Sequence, residues 1–307
     1  MRAFLFPGQG SQYVGMGSDF INKFDTAKSV FQKVDETLGY SLSKLILEGP
    51  EEKLRLTQNT QPAIMAVGVS IFNILKENKN YDLKKIKFFA GHSLGEYTAL
   101  VCAGSITLER ATYLLHERGK AMQQAVPEGI GTMMAVLGMK ISELENEINN
   151  LPKTQNDVCE IANDNSDNQV VVSGTKNIIE KLNTNLKNLK KKGIVLPVSA
   201  PFHCSLMSKA SKTMEEKIQK TNFLKPNPKV ISNVTAEEVE DIDKIKSLLI
   251  KQITSRVRWR ESVNYMIDQG VTDFIEIGPG KILSGLVKKI NNNVKIININ
   301  SLEDIQK

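Results

Sequence analysis

The residues best suited to chemistry form the pentapeptide Gly91-His92-Ser93-Leu94-Gly95, a G-x-S-x-G. Two glycines around a serine recur by chance, so the surroundings carry the reading. The apolar run 87–90 (KFFA) comes immediately before, and the helical stretch 97–104 (YTALVCAG) follows. Strand, turn and helix in that order are what a nucleophile elbow requires. Its glycines allow a tight turn and a close helix–strand approach, and the turn lifts the serine hydroxyl above the sheet edge. The helix N-terminus then offers free backbone N–H groups to a developing oxyanion. The bland alternative is a glycine turn with a capping serine.

A serine hydroxyl is a weak nucleophile at neutral pH and needs a general base, most often histidine. The chain has three histidines. His92 adjoins Ser93, and neighbours on a sharp turn rarely point at the same spot. His116 falls in the helical stretch ATYLLHERGKAM, where a histidine is usually a surface or packing residue. His203 remains, on the Pro-bearing segment Ser199-Ala200-Pro201-Phe202-His203-Cys204. Loops held by a rigid scaffold often carry catalytic groups, so elimination favours His203. Cys204 is too close to His203 in sequence to be an attractive nucleophile partnered with it.

The elements that must position these groups read as an α/β protein. Residues 2–6 (RAFLF) form a strand candidate followed by the glycine-rich loop PGQGSQ, and residues 63–75 read as a buried helix with Pro62 near its first turn. Buried apolar runs alternating with helices point to a parallel sheet. The middle differs: strand 132–138, helix 141–150, strands 158–163 and 169–174, a Lys- and Asn-rich helix 176–192 and strand 194–199. The order β-α-β-β-α-β is that of a ferredoxin-like unit, placed as an inserted small domain at 131–199 with the main domain at 1–130 and 200–307. Beyond it, 229–235 and 271–278 are strand candidates, and Pro279 and Gly280 open a helix ending near residue 290.

The 307 residues, 41% hydrophobic and 24% charged, suit a globular chain with a sizeable core, with a prior of about two domains. Forty Lys and Arg against 34 Asp and Glu leave +6, too little for a dedicated nucleic-acid binder. Lysine clusters at 187–192 and 84–87 lack interleaved aromatics and read as solvated faces. Three scattered cysteines without a CxxC argue against a disulfide framework or a zinc site and for a reducing compartment. The N-terminus lacks signal-peptide character, and the most apolar helix is too short to span a bilayer. A cytoplasmic protein is expected, with no membrane or nucleic-acid partner and no metal.

Three segments, Phe6-Pro7-Gly8-Gln9-Gly10-Ser11-Gln12, Gly91-His92-Ser93-Leu94-Gly95-Glu96 and Ala200-Pro201-Phe202-His203, together resemble the malonyl-CoA:acyl carrier protein transacylase family of fatty acid synthesis. Gln61-Pro62-Ala63, Arg118-Gly119 with Met122-Gln123, Ala162-Asn163-x-Asn165 and Glu276-x-Gly278-Pro279-Gly280 extend the match in order over nearly the whole chain. The resemblance implies an α/β-hydrolase-like core carrying the ferredoxin-like insert. It implies Ser93 as nucleophile, His203 as base, and the backbone N–H groups of Gln9 and Leu94 as oxyanion hole. Arg118 would grip the free carboxylate of malonate, the main-chain carbonyl of Gln252 would orient His203, Asn163 would line the acyl pocket, and Phe202 would favour malonyl over bulkier groups.

The implied reaction moves malonyl from malonyl-CoA to the phosphopantetheine thiol of acyl carrier protein by ping-pong kinetics. No cofactor is needed, since the coenzyme A thioester is itself a substrate. A monomeric, stand-alone acyltransferase is expected. A serine hydrolase such as a thioesterase is the alternative, a polyketide-type acyltransferase shares the chemistry, and a non-catalytic carrier-binding module is disfavoured by the joint survival of serine, base and glycine loops. Acyl carrier proteins of this pathway are typically acidic, which makes Arg256, Arg258, Arg260 and the lysines of the insert candidate docking charges.

Overall fold

A computed structural model describes residues 1–78, 82–198 and 200–305. Its strands are β1 (Arg2–Phe6), β2 (Ile86–Gly91), β3 (Gly131–Leu137), β4 (Cys159–Ser166), β5 (Gln169–Thr175), β6 (Lys192–Val195), β7 (Lys229–Ile231), β8 (Glu238–Val239), β9 (Asp273–Ile277) and β10 (Lys295–Ile299). Six of them form one sheet in the order β10-β9-β1-β2-β7-β8, parallel except for β8. The central strands are mostly apolar because both faces are covered, and alternate residues serve opposite sides. Phe4, Phe6 and Phe89 pack with helix Thr57–Glu77 on one face, the Phe4 and Phe89 rings stacked 5.4 Å apart. Ala3, Leu5, Phe88 and Ala90 pack on the other with Trp259, Val263 and Leu286, from helices Trp259–Asp268 and Ile282–Ile290.

The other four strands form an antiparallel sheet in the order β4-β5-β3-β6. Met134 and Val136 of β3 face Leu144, Ile148, Ile178 and Leu182 of helices Ile141–Asn149 and Lys176–Asn188. Met133 and Ala135 point the other way and join the large core. Backbone bonds from Val257 N–H to Ala162 O (2.8 Å) and from Asp164 N–H to Val257 O (2.9 Å) couple β4 to the segment entering helix Trp259–Asp268. The two sheets are therefore joined beside the end of β2.

Several expected boundaries shift for physical reasons. Pro62 is the sixth residue of helix Thr57–Glu77, not a first-turn proline. Lacking an N–H, it leaves Gln58 O without its helical donor, and His116 Nδ1–H fills the gap at 3.1 Å. That fixes His116 in a packing role. The expected strand 229–235 ends at Ile231, after which Ser232 and Asn233 turn away. Helix Ile282–Ile290 starts later than Pro279, because Gly278 and Gly280 have φ of 136° and 80° and form a turn. Buried Glu276 accepts from the Leu283 and Ser284 N–H groups and so caps that helix from β9. Strand β6 occupies 192–195 instead of 194–199, since Pro197 cannot continue the ladder. Ser199, the last residue of that expected strand, lies outside the described residues.

Edge strands β8 and β10 have no counterpart in the sequence reading. One has two residues, and the other is a half-buried run interrupted by Asn298. No described helix is long and apolar enough to cross a membrane.

Candidate active site

The elbow at the end of β2 depends on two glycines for space. A Cβ on Gly91 would lie 1.9 Å from the Gly95 backbone, and one on Gly95 would lie 2.2 Å from Phe6 O. Helix Leu94–Cys102 can therefore start directly against β1 and β2. Ser93 sits at the turn with φ 55° and ψ −108°, a conformation that costs on the order of 1–3 kcal/mol for a non-glycine residue. Asn233, just beyond β7, brackets it: Asn233 Oδ1 accepts from Ser93 N–H at 2.7 Å, and Nδ2 donates to Gly91 O at 2.7 Å.

Ser93 Oγ lies 2.8 Å from His203 Nε2, and His203 Nδ1 lies 2.9 Å from Gln252 O. A carbonyl only accepts, so Nδ1 carries the proton and Nε2 is left to accept from the serine hydroxyl. That is the tautomer a general base needs. His203 is 4% exposed, and burial, followed by the Arg118 charge, pulls its imidazole down to about 3. The ring is thus neutral and proton-accepting at physiological pH. Pro201 holds its loop against β3, where a Cβ on Gly131 would meet the proline ring at 2.3 Å. Cys204 bonds to Pro201 O at 3.1 Å, and burial pushes its thiol up to about 11, so it is no competing nucleophile.

Arg118 reaches the same place from helix Leu108–Gln124 and is 1% exposed. It donates through Nη1 to Gln61 Oε1 (2.8 Å) and through Nη2 to Gln252 Oε1 (2.8 Å) and Ser93 Oγ (3.1 Å). Its next residue supplies the room: a Cβ on Gly119 would come within 2.5 Å of the Gln58 backbone. Without that glycine, the helix carrying Gln61 could not approach so closely. Gln252 is the hub, since Nε2 also donates to Ser93 O (3.0 Å) and to Glu96 Oε2 (2.8 Å).

Gly8 brings the PGQG loop onto the elbow, where a Cβ would lie 2.7 Å from His92 O. Ser93 N–H is occupied by Asn233. The N–H groups of Gln9 and Leu94 have no protein acceptor among the described residues and flank the elbow from the loop and from the helix start. His92 turns away to Asn165 Oδ1 (2.9 Å) and the Trp259 ring.

Phe202 is buried beside His203. Asn163 is also buried, bridging to Val257 in the joint between the sheets, and no hydrogen bond links its side chain to Ser93, His203 or Arg118 among the described residues. Among those residues no group of three or more His, Cys, Asp or Glu could hold a metal ion.

The sequence reading overlooked Asn233 and Glu96 as site residues and gave Gln61 no role. A lone asparagine after an apolar run carries no local mark, and a first-turn glutamate reads as a helix-dipole partner. The three arginines named as candidate docking charges all form ion pairs within the chain. Arg256 pairs with Glu145, Arg258 with Glu261, and Arg260 with buried Asp164 and with Asp167.

A serine on a strained turn, its histidine and a buried arginine at the serine oxygen come together at one place, an arrangement that can perform acyl transfer. The chain belongs to the acyl transferase domain family, whose profile matches residues 3–300. It is 43% identical over 305 residues to the malonyl CoA-acyl carrier protein transacylase of Bacillus subtilis (strain 168), covering 99% of this chain and 95% of that one. The acyl-carrier-protein-S-malonyltransferase of Bartonella henselae superposes with a TM-score of 0.96 at 40% identity, over 99% and 97% of the two chains. A malonyl-transacylase solved with a holo type II PKS acyl-carrier protein gives a TM-score of 0.95 at 37% identity, over 99% and 97%.

Proposed function

We propose that this protein moves the malonyl group of malonyl-CoA to the phosphopantetheine thiol of an acyl carrier protein through a malonyl-Ser93 ester. His203 Nε2 takes the Ser93 proton as Oγ attacks the thioester carbonyl, and the Gln9 and Leu94 N–H groups receive the oxyanion. Collapse breaks the C–S bond, and the proton passes from His203 to the departing CoA sulfur. The carrier thiol then gives its proton to His203, attacks the ester and restores Ser93. The observation that carries this reading is the Arg118 guanidinium within 3.1 Å of Ser93 Oγ with no carboxylate partner among the described residues. One methylene separates the malonyl carboxylate from its thioester carbonyl, so a cation this close to the nucleophile suits a short acyl group ending in a carboxylate.

The reaction needs no cofactor. We divide the chain into a catalytic domain of 1–130 and 200–307 and an inserted domain of 131–199. The three free cysteines suit a reducing cytoplasm. A monomer suffices, because one chain supplies Ser93, His203, Arg118 and Gln252.

Incubation with malonyl-CoA, with and without holo carrier protein, followed by intact-mass analysis of both proteins tests the function. The expected result is a malonyl adduct on this protein that moves to the carrier. Rapid release of free malonate, with the carrier left unloaded, would instead identify a hydrolase.

The depressed His203 basicity has its own consequence. Acylation of Ser93 by an activated acetyl ester is expected to hold steady as pH falls through 6.5, the ordinary histidine value, because the folded ring stays neutral towards about 3. Stability moves differently. The His203 contribution is complete above 6.5 and is lost progressively as pH falls towards about 3, since the unfolded histidine binds the proton first. Single-turnover acylation rates and urea melts across that range check both; an acylation midpoint near 6.5 would contradict a buried neutral base.

A further inference from the structure

Two opposite charges are buried in this site without touching. Among the described residues Arg118 donates only to amide and hydroxyl oxygens, its guanidinium lies 5.8 Å from the centre of the Tyr97 ring, and its Nε has no hydrogen-bond partner. Glu96, 2% exposed, accepts from Gln252 Nε2 (2.8 Å) and Asn233 N–H (3.0 Å), both at Oε2, and pairs with no cation among the described residues. The Gln252 amide stands between them, with Oε1 on the guanidinium and Nε2 on the carboxylate. That orientation is favourable to both charges at once. A lone buried charge is heavily disfavoured, so each of the two makes the other tolerable.

We propose that Glu96 is the internal counter-charge of Arg118, relayed through the Gln252 amide, and that it sets how strongly the site prefers an acyl group ending in a carboxylate over an uncharged one. The inference rests on the reading of Arg118 as the carboxylate clamp. With substrate absent, one cation and one anion balance. A malonyl group adds a second anion in a water-poor site, and the repulsion falls on Glu96, which can relieve it by taking a proton. An acetyl group adds no charge. Glu96 touches no reacting atom, so it acts as a positioning and selectivity residue.

The charged and titratable groups around this network are Arg118 from helix Leu108–Gln124, His203 and His92 from the two loops, and Tyr97 beside Glu96. Burial holds both histidines below their ordinary value, and it pushes the Tyr97 hydroxyl up to about 12. Burial pushes Glu96 up to about 7. Near neutral pH, Glu96 is thus the member of this group whose charge changes.

The test is the ratio of kcat/KM for malonyl-CoA to that for acetyl-CoA at about pH 6 and about pH 8, in the parent and in Glu96→Gln. Both hydrogen bonds converge on one oxygen, so the glutamine carbonyl can accept both while the charge is removed. In the parent the ratio is expected to rise as pH falls, and in Glu96→Gln to be raised roughly tenfold at the higher pH and flat with pH. Acetyl-CoA cancels effects common to both substrates, including any on Ser93 and His203. A purely structural role would change both acyl groups alike. Equal ratios and equal pH profiles in the two proteins overturn the proposal. If the variant does not fold, the parent decides, and a ratio independent of pH overturns it. Arg118→Ala separates the two layers. Equal loss of both substrates there overturns the clamp and this inference together. A malonyl-selective loss there, with an unchanged Glu96→Gln ratio, overturns this inference alone.

Discussion

Ser93→Ala is expected to abolish the malonyl adduct and to lower transfer by a factor on the order of 10⁶, the size seen when a serine nucleophile is removed from an intact triad. The oxygen lost is the one that His203 Nε2 and Arg118 Nη2 both address. The elbow itself should survive, since its Asn233 bracket uses the Ser93 backbone and the glycines at 91 and 95 are untouched. Intact-mass analysis after incubation with malonyl-CoA gives the reading, with a thermal melt to show that the fold persists. A retained malonyl adduct would place the nucleophile elsewhere, and Cys204 is a poor substitute because its buried thiol is held at about 11.

The second large effect belongs to Arg118→Ala. Malonyl transfer should fall by roughly 10²–10³, the cost of removing one partner from a buried charge-assisted pair. Acetyl transfer should fall much less. Stability should drop as well, because the Gln61 and Gln252 amide oxygens lose their donor, at about 1–3 kcal/mol for each unsatisfied buried group. Activity alone would therefore mix two effects. The ratio of malonyl to acetyl transfer separates them, since poorer packing lowers both while a missing clamp lowers only one. An unchanged ratio would end the carboxylate role of Arg118.

Much of the fold was legible where burial is symmetrical. Strands β1, β2 and β3 are mostly apolar and buried, and the sequence reading placed them to within a residue or so because little solvent-facing surface dilutes the pattern. Strands β8 and β10 escaped it because edge strands need no long apolar run. Pro62 misled for another reason: a proline inside a helix is tolerable only if a distant group satisfies the freed carbonyl. That group, His116, lies 58 residues away in the chain.

The site divides along the same line. Ser93 and His203, which the fold brings within hydrogen-bond reach, could be proposed from sequence because local constraints and scarcity pointed to them: glycines whose absent side chains make a tight turn possible, and one histidine left after two were set aside. Everything that decides their state comes from elsewhere in the fold. The His203 tautomer depends on the Gln252 carbonyl, the elbow on Asn233, and the Arg118 orientation on Gln61 and Gln252. A residue type and its spacing declare which chemistry is available. Burial and hydrogen-bond partners, which set protonation and direction, exist only once segments far apart in the chain have packed together.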